Sequence, residues 1–179
     1  VVYSGESYTK TPVTSDKSIA LSALDELNYS QNIKGGTAIG MGLATSVNRL
    51  KDSKAESKVI ILLTDGVNNS GFIDPKTATE LAISENIKTY SIGIGTKGKA
   101  MSPVSISKNG KINFKAVKVE IDEELLQYIA NETGGNYYRA TNREKLDEIY
   151  KSINKLEKTV IEEKKFYDYQ EKFRPLLII

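Results

Sequence analysis

Two short segments hold the residues best able to do chemistry. Gly35-Gly36-Thr37-Ala38-Ile39-Gly40 is a flexible loop running into a helix, and Val59-Ile-Ile-Leu-Leu-Thr-Asp65-Gly66 is an apolar run that emerges onto a carboxylate. A threonine hydroxyl and an aspartate are hard oxygen donors of the kind that Mg²⁺, Mn²⁺ or Ca²⁺ takes. Mg²⁺ keeps several waters, so a few protein ligands suffice and a partner's carboxylate can fill an open position. Taken singly, Thr37 reads as a helix N-cap and Asp65 as a turn residue; taken together, they suggest one site. Other chemistries are closed, because the 179 residues include no His and no Cys. That removes Ser-His and Cys-His nucleophiles, Cys/His zinc sites, disulfides and thiol redox reactions.

Charge narrows the field further. With 25 Lys and Arg against 23 Asp and Glu the net charge is +2, which gives no electrostatic case for nucleic acid. At 27% charged and 39% hydrophobic the chain reads as one globular domain, or one domain plus an appendage. A literal G-x-G-x-x-G at Gly93-Ile94-Gly95-Thr96-Lys97-Gly98 follows a strand but leads toward a hairpin, so it lacks the helix a dinucleotide site needs. Asp65, Glu6 and Asp74 could pair for acid/base hydrolysis, yet nothing in their spacing draws two together.

The elements that must position Thr37 and Asp65 alternate between helix and strand. The continuous apolar run 59–63 suits a parallel strand covered on both faces. A second strand spans 88–95, with Tyr90, Ile92 and Ile94 on one face, and a third lies near 136–139. Helices are predicted over 16–27 through Leu21, Leu24 and Leu27, and from near Thr37 through Ile39, Leu43, Val47 and Leu50. Others begin after Asp74-Pro75, after Asp122, and at a capping box over Thr141-Asn142-Arg143-Glu144. A β-hairpin over 104–114 with an Asn109-Gly110 turn interrupts the alternation. The expected architecture is α/β and doubly wound: a mostly parallel sheet with helices on both faces and an inserted hairpin.

These motifs, in this order, resemble the von Willebrand factor A domain family, whose fold is Rossmann-like. The glycine-threonine loop at 35–40 and the strand ending in Thr64-Asp65-Gly66 correspond to two of the three elements of that family's metal-ion-dependent adhesion site. Val1-Val2-Tyr3-Ser4-Gly5-Glu6-Ser7-Tyr8, Tyr90-Ser-Ile-Gly-Ile-Gly95 and Thr133-Gly134-Gly135-Asn136-Tyr137-Tyr138 are similar to the bacterial Bat (aerotolerance-type) branch, whose members are membrane-anchored. The resemblance implies a metal held by Thr37 and Asp65, with Gly35, Gly36 and Gly66 shaping the loops around it. The implied ion is Mg²⁺, or Mn²⁺ or Ca²⁺.

One element departs from the pattern. The family's D-x-S-x-S motif is absent, and Asp16-Lys17-Ser18-Ile19-Ala20 lacks its second serine, so Asp16 reads as a helix cap. The resemblance implies that a first strand and helix precede Val1, that another chain supplies the strand, or that the site is incomplete. The first is favoured; homo-oligomerisation or strand exchange fits the second. At the other end, Phe173-Arg174-Pro175-Leu176-Leu177-Ile178-Ile179 resembles the start of a transmembrane helix, although four apolar residues also fit a frayed tail or a last strand. The expected division is a domain over 1–158 and a charged, aromatic stalk over 159–179 leading toward the membrane. The function implied is metal-dependent binding of a protein that supplies a carboxylate, without catalysis. Its setting would be the bacterial cytoplasmic membrane with the domain periplasmic, in envelope complex assembly or oxidative-stress tolerance. A metal-free structural scaffold is the alternative, and a metal-assisted hydrolase a more distant one.

Overall fold

The computed structural model describes residues 1–27, 35–95, 98–106, 112–119 and 121–173. Its centre is a parallel sheet in which β3 (Val59–Thr64) pairs with β4 (Lys88–Ile94), and β4 with β7 (Tyr137–Ala140). The register sets Ile61 beside Tyr90 and Leu63 beside Ile92, and strand periodicity then sends alternate residues to opposite faces. That is why Val59–Thr64 has no polar alternation: both of its faces meet helices.

On one face Ile60 and Leu62 join α2 (Ile39–Leu50), α3 (Pro75–Ser84) and α4 (Glu123–Glu132) in a core that includes Leu43, Ala78, Leu126 and Ile129. Leu43, Leu126 and Ile129 are fully buried, each worth about 1.5–3 kcal/mol in removed apolar surface. On the other face Tyr90, Ile92 and Ala140 pack under Ile149 and Ile153 of α5 (Arg143–Phe173). Helices on both faces of a parallel sheet make this the doubly wound α/β architecture expected.

The caps follow the sequence closely. Asp16, Asp74 and Asp122 accept from the backbone N–H of Ser18, Lys76 and Leu125, opening α1 (Lys17–Asp25), α3 and α4. At α5 the capping acceptor is Asn142, bonded to the Lys145 N–H at 2.8 Å, one residue later than a box led by Thr141 requires. For α1 the expected apolar stripe exists but covers no core: no residue of the helix is buried, and Leu21 and Leu24 are each 61% exposed.

Two antiparallel pairs flank the sheet. β1 (Val2–Tyr3) and β2 (Ser7–Tyr8) form a short hairpin against α2. β5 (Gly98–Ile106) and β6 (Ile112–Val119) form the inserted ribbon, longer at both ends than the predicted 104–114. The glycine run from Gly93 therefore links strand to strand, without the helix a dinucleotide fold requires. The Asn109-Gly110 turn, Thr96, Lys97 and the apolar tail 175–179 lie outside the described residues. α5 passes residues 158 and 159 without a break and spans about 46 Å at 1.5 Å per residue. Among the described residues no helix is long and apolar enough to cross a membrane.

Candidate metal centre

β3 ends at Thr64, and the loop that follows it at the carboxyl end of the sheet meets the loop leading into α2. Thr37 thereby comes against the loop that carries Asp65. Thr37 Oγ1 lies 3.1 Å from the point where a Cβ on Gly66 would stand, so the hydroxyl sits against the residue following Asp65.

Neither residue is used for its ordinary local task. α2 begins at Ile39, and its first free N–H is capped from across the fold by Asn68, whose Oδ1 accepts from Ile39 at 2.8 Å. Thr37 is thereby released from capping. The turn after β3 is tied by Thr64 Oγ1, which accepts from the Gly66 N–H at 3.2 Å, so Asp65 is released as well. Among the described residues neither the Thr37 hydroxyl nor the exposed Asp65 carboxylate has a hydrogen-bond or ion-pair partner.

The loops are locked together by groups with no evident sequence signature. Asn69 Oδ1 accepts from the Thr37 N–H at 2.8 Å, and the Asn69 N–H donates to the Thr37 carbonyl at 3.0 Å. From the other side the Ser4 carbonyl accepts from the Ala38 N–H at 2.6 Å, and Ser4 Oγ donates to the Gly36 carbonyl at 3.1 Å. Gly36 has φ +113°, and a Cβ on it would fall 2.0 Å from Ser70 Oγ, so the loop requires glycine there. A Cβ on Gly35 would meet nothing within 4 Å among the described residues.

Tyr3 supports the rim from beneath. Its hydroxyl donates to the Leu63 carbonyl at 2.5 Å. Burial pushes that hydroxyl up to about 12, a hydrogen bond with Thr64 opposes the rise, and the nearby Asp65 charge adds to it. Beside the rim opens a cavity of about 500 Å³, lined by Glu6, Ser7, Met41, Ser70 and Phe72 among others. Phe72 is 85% exposed.

The donor types, one hydroxyl and one carboxylate, suit a hard dication and would supply part of its shell. Among the described residues no group of three or more Asp and Glu gathers that could hold a metal by acids alone. Asp74, one of the acids considered for hydrolysis, caps α3 instead.

A doubly wound parallel sheet with an oxygen-donor rim at its carboxyl end defines the class of domain. The chain belongs to the von Willebrand factor type A domain family, whose model matches residues 1–152. It is 33% identical over 138 residues to an uncharacterized protein of Borreliella burgdorferi, covering 77% of this chain and 40% of that protein. An aerotolerance-related membrane protein of Bacteroides fragilis superposes with a TM-score of 0.67 at 28% identity, over 86% of this chain and 76% of the other. A mussel byssus protein, proximal thread matrix protein 1, was solved with a zinc-occupied MIDAS motif; it superposes with a TM-score of 0.56 at 27% identity, over 80% of this chain and 29% of the other. The resemblance to the Bat branch is thus matched in structure as well as sequence. The chain spans less than half the length of the curated relatives it matches.

Proposed function

We propose that this domain binds another protein through a divalent ion gripped at the rim. Thr37 Oγ1 would contact the ion directly, and the Asp65 carboxylate would hold it directly or through water. A partner's Asp or Glu would take an open coordination position. When bound, the ion supplies a fixed positive charge that a partner carboxylate can reach without displacing a protein acid. The single observation behind this reading is that the Thr37 hydroxyl stands against Gly66 and, among the described residues, neither it nor the Asp65 carboxylate has a protein partner, while neighbours carry out the capping and turn-forming tasks. The zinc-occupied motif in the mussel protein supports a metal at this rim, and Mg²⁺ or Mn²⁺ is our assignment for this chain.

Residues flanking the partner's carboxylate would lie in the cavity beside the rim, against Met41 and Phe72. By analogy with the Bacteroides fragilis protein, we place the domain on a membrane-anchored bacterial protein, facing the periplasm, in envelope assembly or oxidative-stress tolerance. Within it, residues 1–158 form the binding unit and 159–179 a stalk toward the membrane. The test is the melting temperature of the full-length natural protein with and without millimolar Mg²⁺ or Mn²⁺. A hundredfold excess over Kd stabilises by about 2.7 kcal/mol, or about 5–10 °C, and Asp65→Ala should abolish the rise. An unchanged melting temperature sinks this reading and leaves the metal-free scaffold.

A further inference from the structure

Two consecutive residues of the β1–β2 hairpin, Tyr3 and Ser4, touch both loops of the rim. Tyr3 OH donates to the carbonyl of Leu63, the residue before Thr64-Asp65, at 2.5 Å. Ser4 meets the Thr37 loop twice: its carbonyl accepts from the Ala38 N–H at 2.6 Å, and its Oγ donates to the Gly36 carbonyl at 3.1 Å. Neighbouring α-carbons stand about 3.8 Å apart across a trans peptide. One short piece of backbone therefore sets how far the two loops can separate.

The grip on Thr37 is complete at the level of the main chain. Thr37 lies between two peptide groups, each with one carbonyl and one N–H. Ser4 takes the Gly36 carbonyl and the Ala38 N–H; Asn69 takes the Thr37 N–H and the Thr37 carbonyl. All four groups are bonded from two different segments, so neither peptide can turn without breaking a pair of hydrogen bonds. The motion that remains is rotation of the Thr37 side chain among its staggered positions.

The hairpin is itself fixed to the body. Ser7 Oγ donates to the Met41 carbonyl at 3.1 Å and lies 2.7 Å from Thr45 Oγ1, both on α2. The Tyr3 ring packs on Gly42 so closely that a Cβ there would stand 2.7 Å from the ring carbons. The clamp is thus anchored on the same helix that the Thr37 loop enters.

Such a seat discriminates between ions by size. Mg²⁺ takes its oxygens at about 2.0–2.1 Å in near-octahedral geometry, whereas Ca²⁺ takes them at about 2.3–2.6 Å in flexible arrangements. Donors whose backbone cannot spread follow the larger ion poorly. We propose that the β1–β2 hairpin is a spacer for the rim, with Tyr3 and Ser4 as positioning residues, and that it makes the site prefer Mg²⁺ to Ca²⁺. This rests on the adhesion reading for an ion at Thr37 and Asp65; Tyr3 and Ser4 act through the two loops and are not ligands.

The test is calorimetric titration of the metal-free, full-length natural protein and three variants with MgCl₂ and with CaCl₂. The parent should bind Mg²⁺ about tenfold or more tighter than Ca²⁺. Tyr3→Phe deletes the bond to Leu63, and Ser4→Ala deletes the bond to Gly36. Each should cut the preference about threefold or more, mainly through lost Mg²⁺ affinity. Glu157→Gln breaks the pair with Lys88 at the other end of the sheet and should leave the preference where it was. An equal fall in Glu157→Gln would mark an effect of general stability and overturn the spacer. A parent that binds both ions alike overturns it too, as does a parental preference kept by folded Tyr3→Phe and Ser4→Ala; in each case the metal reading stands. Should Tyr3→Phe fail to fold, Ser4→Ala decides alone. A parent that binds neither ion overturns the adhesion reading and the spacer together.

Discussion

Asn69 holds Thr37 on both sides of one residue, accepting from its N–H at 2.8 Å and donating to its carbonyl at 3.0 Å. These bonds join segments 32 positions apart and hold the Thr37 backbone that carries the hydroxyl. Asn69→Ala should therefore cost about 0.5–1.5 kcal/mol of stability in urea unfolding. It should also weaken Mn²⁺ binding, measured by calorimetric titration, although Asn69 is not proposed as a ligand. Unaltered Mn²⁺ affinity would mean that the loop holds Thr37 without it.

Gly66→Ala probes the hydroxyl more directly. The added Cβ would stand 3.1 Å from Thr37 Oγ1, close enough to displace it by a few tenths of an ångström, and Gly66 has no left-handed φ that alanine would strain. The fold should lose about 1 kcal/mol or less while Mn²⁺ affinity falls. A variant that binds Mn²⁺ as tightly as the parent would remove Thr37 from the ligand set.

Glu157 gives the molecule an acid sensitivity remote from the rim. Its Oε1 accepts from Lys88 Nζ at 2.8 Å and Tyr90 OH at 2.6 Å, and its Oε2 from Ser57 Oγ at 3.1 Å. Burial alone would raise this carboxyl; the bonds from Lys88, Tyr90 and Ser57, with the Lys88 charge, hold it below the usual carboxylate range. A depressed folded pKa adds stability that is complete above the unfolded value of about 4.3 and is lost as pH falls through the folded one. Glu157→Gln should cost about 1–3 kcal/mol at pH 7 and flatten the loss between pH 5 and 3. An acid unfolding curve of unchanged shape would refute this.

Arg139→Gln should loosen the root of the ribbon by removing the pair with Glu123 and the bond to Gly95. Amide exchange at Gly95 and at residues 121–123 should quicken, while amides in β3 keep their protection. Uniform acceleration across the sheet would instead mark Arg139 as a general stabiliser.

Local signals in the sequence carried the elements well. The unbroken run Val59–Leu63 announced a strand covered twice, and each of Asp16, Asp74 and Asp122 caps the helix it precedes. Within Thr141–Glu144 two neighbours can each lead a cap, and local spacing did not favour Asn142 over Thr141. The stripe on α1 was visible, but periodicity shows which side of a helix is apolar and not whether anything covers it. At the rim, Thr37 and Asp65 were legible as hard donors. Asn68, Asn69 and Ser4 were not, because their work is to bond loops about thirty residues away, and only the folded topology sets that distance.

The seat of Glu157 has a mechanical consequence. The rim lies at one end of the sheet, while at the other end Glu157 of α5 meets Lys88 and the helix runs on to Phe173. A pull between a cargo at Thr37 and a tether on the far part of α5 is therefore directed along the helix axis. Ile149, Ile153 and Glu157 would resist it together as a sliding load, so that the joint gives way at once and does not peel turn by turn.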